Sequence, residues 1–228
     1  MIEKTKVGGS SVSESESEVF CSNLSFGLHA VAQPLTIVRA SLFKSYTDRM
    51  SRDELQELAG TMSLEVERIC ALFSCLQQLV HIESIKPSLS AMPILPLLVC
   101  AADGVDLLYK DSGMLLSLVL PESCESVLVD RQRTIEALSS VLLVAHTLSR
   151  AKDTVELIAS SSSSTTTIRV TVQNVNSRVN ALHAQASVSL ALAGANIRSQ
   201  GAILSWSLQP FRVEMELQRT RSQSHEAM

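Results

Sequence analysis

The sequence predicts an α+β protein in two parts: an antiparallel helical hairpin forming a dimeric four-helix bundle, then a small α/β sandwich. Three observations carry this reading. Two successive stretches repeat apolar residues every three or four positions, the period of helices with a buried seam. Prolines then cluster at Pro87, Pro93 and Pro96, where the character of the chain changes. Beyond them, short alternating β-branched runs are interleaved with helical periods, the pattern of helices layered on strands.

The elements follow in order. Residues 1–18 are rich in Ser, Gly and Glu and read as a disordered leader. A helix is expected over about 20–47, where Leu24, Leu28, Val31, Leu35, Val38 and Leu42 are spaced 4, 3, 4, 3, 4. Pro34 inside it removes one helical hydrogen bond and predicts a kink. Ser51 is a good N-cap, and Asp53 and Glu54 suit the first turn of a second helix. That helix runs to about Ser84 on Leu55, Leu58, Met62, Val66, Ile69, Phe73, Leu76 and Val80. A lone hairpin leaves its stripe uncovered, so two copies are expected to pair through residues 19–86.

The second domain is expected over 87–218, with a polar tail at 219–228. Helices are placed at 95–109, 130–149 and 187–199, the last stopped by Gly201. Strands are placed at 115–120, 126–129, 155–159, 168–172, 202–207 and 211–217. The Ser/Thr run at 160–167 has no glycine, so it reads as a hairpin loop rather than a phosphate loop.

Bulk properties narrow the function. The chain has 228 residues, 46% hydrophobic but only 4% aromatic, so a core of Leu, Val, Ala and Ile is expected. The net charge of −4, without a basic stripe, argues against nucleic acid. No apolar run reaches the roughly 20 residues of a membrane span. The start lacks the apolar stretch of a signal peptide, and a cytoplasmic protein is expected. Cys21, Cys70, Cys75, Cys100 and Cys124 are irregularly spaced without a C-x-x-C pair. They read as small buried hydrophobes rather than zinc ligands or a disulfide framework. Glu65 and Glu67 read as a solvated face, and His81 suits the end of the second helix. His146, His183 and His225 have no spacing that suggests a shared site. No metal site and no cofactor are expected.

One segment carries chemistry. His29-Ala-Val-Ala-Gln-Pro-Leu-Thr36 resembles the H-box of bacterial sensor histidine kinases, in which the histidine is followed by an acid and, further on, by Pro-Leu-Thr. The stretch from Asp130 to Ala145 resembles that family's N-box helix. The stretch from Ser187 to Gly201 resembles the helix after its second glycine box. The likeness spans about residues 20–218 and rests on the order and separation of these segments. It implies a dimerisation and phospho-acceptor hairpin followed by an ATPase-type domain.

The departures are systematic. Ser140 and Val144 stand where the family offers an asparagine to Mg²⁺. Asn174 replaces the aspartate that reads adenine, and Asn176 replaces a glycine of the first glycine box. Ser187 and Ser189 stand where glycines let backbone approach the phosphates. Ala30 replaces the acid after the histidine. The resemblance therefore implies a degenerate, kinase-like histidine phosphotransferase or adaptor that docks response-regulator receiver domains. His29 would be the phospho-acceptor, with Gln33, Pro34 and Thr36 near the phosphoryl group. The alternative is a non-catalytic interaction protein modulating a true histidine kinase or a receiver. A divergent active kinase ranks third, because three nucleotide-contact motifs fail together.

Overall fold

The computed structural model describes residues 11–47, 50–120, 126–172 and 180–220. The chain divides into two compact units, residues 1–76 and 77–228. Among the described residues, no helix is long and apolar enough to cross a membrane.

The first unit is built on a helical hairpin. Helix α1 spans Ser11–Thr47 and α2 spans Arg52–Ser84. The α1 helix starts earlier than the sequence periodicity suggests. Once the apolar turns are formed, extending a helix backward is far easier than starting one. Pro34 lies within α1 and is buried, and the helix continues on both sides of it. The start of α2 is a capping box. Glu54 Oε2 accepts from Ser51 N at 2.8 Å, and Glu54 N donates to Ser51 Oγ at 3.3 Å. The Ser51 N–H and the Ser51 hydroxyl, both donating to Glu54 Oε2, hold that carboxyl below its ordinary pKa.

The buried stripe differs from the heptad seam read from sequence. Among the described side chains of α1, the buried positions are Gly27, Ala30, Val31, Pro34 and Ser41. On α2 they include Glu65, Leu72 and Leu76. Glu65, expected on a solvated face, is buried and paired with Arg68 at 2.6 Å. Seam residues instead remain open, among them one trio on each helix: Leu28, Leu35 and Leu42 on α1, and Val66, Phe73 and Val80 on α2, each between 43% and 54% exposed. Each trio is spaced by seven, so each forms a line along one face of its helix.

The second unit contains the end of α2 and the remaining elements. Strand β1 (Ser90–Pro93) lies where a proline linker was expected, and pairs antiparallel with β3 (Ser126–Val129). Pro93 can occupy such a place because it ends the strand and starts helix α3 (Ile94–Asp111). Strand β2 is Leu115–Val119 and helix α4 is Arg131–Leu148. Strands β4 (Thr154–Ser161) and β5 (Thr165–Val172) form a hairpin. Most of the Ser/Thr run is strand: Ser160 pairs with Thr167 and Ser161 with Thr166. Threonine is β-branched and favours this conformation, which composition alone concealed. Helix α5 is Asn180–Arg198, followed by β6 (Ile203–Leu208) and β7 (Phe211–Gln218).

The main sheet has order β2-β4-β5-β7-β6, with β2 and β4 parallel and the other pairs antiparallel. Alternation sorts its faces. Val155, Leu157, Ile168, Val170, Val213 and Met215 are buried in the core with Leu98, Leu138, Leu142, Leu190 and Ile197 of the helices. The polar face carries Arg169, directly opposite Glu214 and bound to it at 2.7 Å. Asp130 caps α4, accepting from Arg133 N. Gly201, at φ 75°, takes the left-handed turn that stops α5. Cys21, Cys70 and Cys100 are exposed and Cys75 is half-buried, which corrects the expectation of buried hydrophobes. Cys124, the first ten residues and the tail from 221 lie outside the described residues.

Candidate functional site

His29 projects from α1 and is exposed. Its helix neighbours explain its accessibility. Ser22, Ser25, Leu28 and Ala32 line, with His29, a depression of about 650 Å³. These positions recur at three- and four-residue intervals, so they share one face. Three of the four neighbours are small and leave the ring edge open. Gln33 and Thr36 are also exposed, four and seven residues beyond His29. The Thr36 hydroxyl donates to Ala32 O at 2.8 Å, within its own helix. Pro34 is buried and does not face solvent with them. Ala30 is buried too, so the side chain following His29 turns inward rather than orienting the imidazole.

The residues that the sequence resemblance sets against the nucleotide motifs lie, where described, on α4 and α5. Ser140 and Val144 lie on α4, the first half-buried and the second buried. A valine offers no lone pair to a metal. Ser187 and Ser189 lie half-buried on α5. Asn174 and Asn176 fall outside the described residues, as does His225, and the His183 side chain is likewise undescribed. Among the described residues, no group of three or more His, Cys, Asp or Glu is placed to hold a metal ion.

The structure also groups residues that sequence spacing did not connect. His146 of α4 meets Ser112 at the end of α3, with Nε2 and Oγ 2.7 Å apart. Ser112 Oγ donates to Leu108 O at 2.9 Å, which leaves the imidazole N–H as donor to the serine. The Tyr109 ring lies 5.3 Å from that of His146, and its buried hydroxyl donates to Leu142 O at 2.7 Å. Burial pushes the Tyr109 phenol up and the His146 imidazole down, the latter opposed by the Leu108 carbonyl. These contacts join helices more than thirty residues apart, so no local pattern announces them.

No protein-family model matches the chain, and no curated protein does. Solved structures do. The Acinetobacter baumannii histidine kinase AdeS aligns with a TM-score of 0.58 at 15% identity, covering 85% of this chain and 98% of that one. A histidine kinase from Burkholderia phymatum aligns at 0.51 and 16% identity, over 84% and 97% of the two chains. The histidine kinase ThkA, solved in complex with the response regulator TrrA, aligns at 0.64 and 10% identity, over 85% of this chain and 60% of ThkA.

The chain has the fold of a histidine kinase transmitter core. Hairpin and sheet domain are both included, since each alignment spans more than four-fifths of the chain. Within this fold, His29 stands on the first helix of the hairpin, Ser140 and Val144 on α4, and Ser187 and Ser189 on α5.

Proposed function

We propose that this chain is a degenerate, histidine kinase-like phosphotransferase of a two-component pathway, acting as a homodimer and docking receiver domains on its hairpin. The observation that carries the reading is the exposed imidazole of His29 on the transmitter hairpin, set among small side chains in an open depression. Ser140, Val144, Ser187 and Ser189 support the loss of nucleotide chemistry, because they offer neither a strong Mg²⁺ ligand nor the bare backbone that phosphates approach. ThkA is solved with a response regulator, which supports a receiver as the partner class here.

The reaction then asks little of this chain. The lone pair of a His29 ring nitrogen attacks the phosphorus of a receiver's aspartyl phosphate. The N–P bond forms, the acyl P–O bond breaks, and the aspartate leaves as carboxylate. The proton on the other ring nitrogen passes to solvent, to which His29 is open. The receiver brings the metal that stabilises charge on the phosphoryl oxygens, and the rigid helix supplies position. Gln33 lies one helical turn from His29 on the same side, within reach of a phosphoryl oxygen. Thr36 is a poorer donor there, because its hydroxyl is held by Ala32 O.

The half-exposed lines of Leu28, Leu35, Leu42 and of Val66, Phe73, Val80 support pairing of two hairpins. A second copy would cover both lines in a four-helix bundle, removing apolar surface from water. The absence of a described membrane-crossing helix is compatible with a cytoplasmic site of action. Incubation with phosphorylated receiver domains tests the proposal: label should appear on the wild-type chain and be absent from His29→Ala. Failure of every receiver to label the wild type would leave only docking without transfer.

A further inference from the structure

The first turn of α4 grips the end of α2. Arg133 is buried, and its guanidinium donates to Ile82 O at 3.3 Å, to Ile85 O, and to Ser199 Oγ at 2.7 Å. Among the described residues, no carboxylate pairs with it at ion-pair distance. Its charge instead meets carbonyls at the C-terminal, partially negative end of α2. Asp130, one turn earlier, works beside it. Its carboxylate accepts from Arg133 N at 3.1 Å and from Ser88 N at 2.8 Å. Gln200, also buried, closes the far side: its Oε1 accepts from Asp130 N at 2.7 Å and Thr134 Oγ1 at 3.2 Å. Residues 82–88 are thus held at three points from α4, all within the compact unit 77–228.

Each side supplies what the other lacks. The last carbonyls of a helix have no partner in their own helix. A buried guanidinium is costly unless its donors are bonded. Ordering the end of α2 satisfies both, and releasing it leaves both unsatisfied. Pro87 adds a fixed φ in the middle of the held segment.

We propose that Arg133 and Asp130 form a joint that makes the last turn of α2 and the following connection a fixed part of the sheet domain, not a free linker. A displacement of the α2 end is then passed into α4 instead of being absorbed between residues 84 and 90. The joint needs no nucleotide, so it gives the second domain a mechanical role that survives loss of the ATP site. It is independent of phosphate transfer at His29.

Amide hydrogen exchange on the full chain tests it. In the wild type, the Ser88 amide and those of the last turn of α2 should be protected, near the level of β5 and β7. Arg133→Met should speed their exchange at least tenfold while β5 and β7 stay protected. Unchanged exchange in a folded Arg133→Met overturns the proposal. Should that variant not fold, the wild type decides alone: a Ser88 amide exchanging as freely as an unstructured one also overturns it.

Discussion

Gly27 on α1 lies directly against Leu76 on α2, so that a Cβ built on the glycine overlaps Leu76 Cδ2. Leu76 is buried, so making room for that carbon means shifting its side chain within the packed stripe. Gly27→Ala sets a helix-propensity gain of about 1 kcal/mol against an overpacking cost of roughly 1–3 kcal/mol. The clash wins, and a net loss of about 1 kcal/mol is expected. Gly60, on α2, has nothing within 4 Å of its added Cβ. Gly60→Ala should therefore gain about 0.5–1 kcal/mol. Urea denaturation of both variants checks the contrast; equal gains would mean the helices do not meet at Gly27.

The exposed heptad lines predict the assembly. Leu35→Glu combined with Phe73→Glu places charge on both lines without touching the buried stripe. The wild type should sediment as a dimer at micromolar concentration and the double variant as a monomer of unchanged helicity. A monomeric wild type would remove the basis for the four-helix bundle.

His29→Ala should abolish phosphate acceptance from a receiver while leaving receiver affinity within about threefold, or under 1 kcal/mol. The reason is geometric: the ring is exposed, and Ser22, Ser25 and Ala32 around it stay in place. Label persisting in the alanine variant would place the acceptor elsewhere. Gln33→Ala should slow transfer without preventing it.

Mg²⁺–ATP at millimolar concentration should give no saturable heat. On the proposed correspondence, Val144 would stand at the metal position and offers no ligand, and Ser187 and Ser189 would stand where the family has glycines against the phosphates. Clear saturation by calorimetry would favour the divergent kinase.

His146 predicts a pH dependence of the second unit. Burial lowers its folded pKa from the ordinary 6.5, so the unfolded chain binds the proton more readily. Stability is therefore full above about pH 6.5 and declines as pH falls through the window below it. Melting temperatures from pH 7.5 to 5 should show this slope, and His146→Gln should flatten it. An identical slope in both proteins would assign the effect to other groups.

Much of this was legible in the chain. Ser51 announced the start of α2 as its N-cap, with Glu54 in the first turn, and Gly201 announced the end of α5. Strand β3 and the α4 helix were read nearly to the residue, because helical and strand periods are local physics, though Asp130, read as helical, is the cap that precedes α4. The H-box likeness around His29 marked the segment that the structure leaves open. What local reading missed depends on partners distant in sequence. Ser90 to Pro93 became a strand only because Val127 and its neighbours pair with it. Glu65 is buried because of the packing around it, while its own spacing suggested solvent.

By itself, then, the sequence determined the helical periods, the Ser51 cap and the Gly201 stop, and the strands whose own residues alternate or are β-branched. These follow from backbone preference and residue identity, which act over a few residues. Only the tertiary structure decided which face of each hairpin helix is buried, since a stripe seven residues long in period fits two neighbouring faces almost equally. It chose the face that seats Gly27 on Leu76 and left Leu28, Leu35 and Leu42 open. It likewise decided that Arg133 would cap the end of α2, because burying a guanidinium is possible only where distant carbonyls converge upon it.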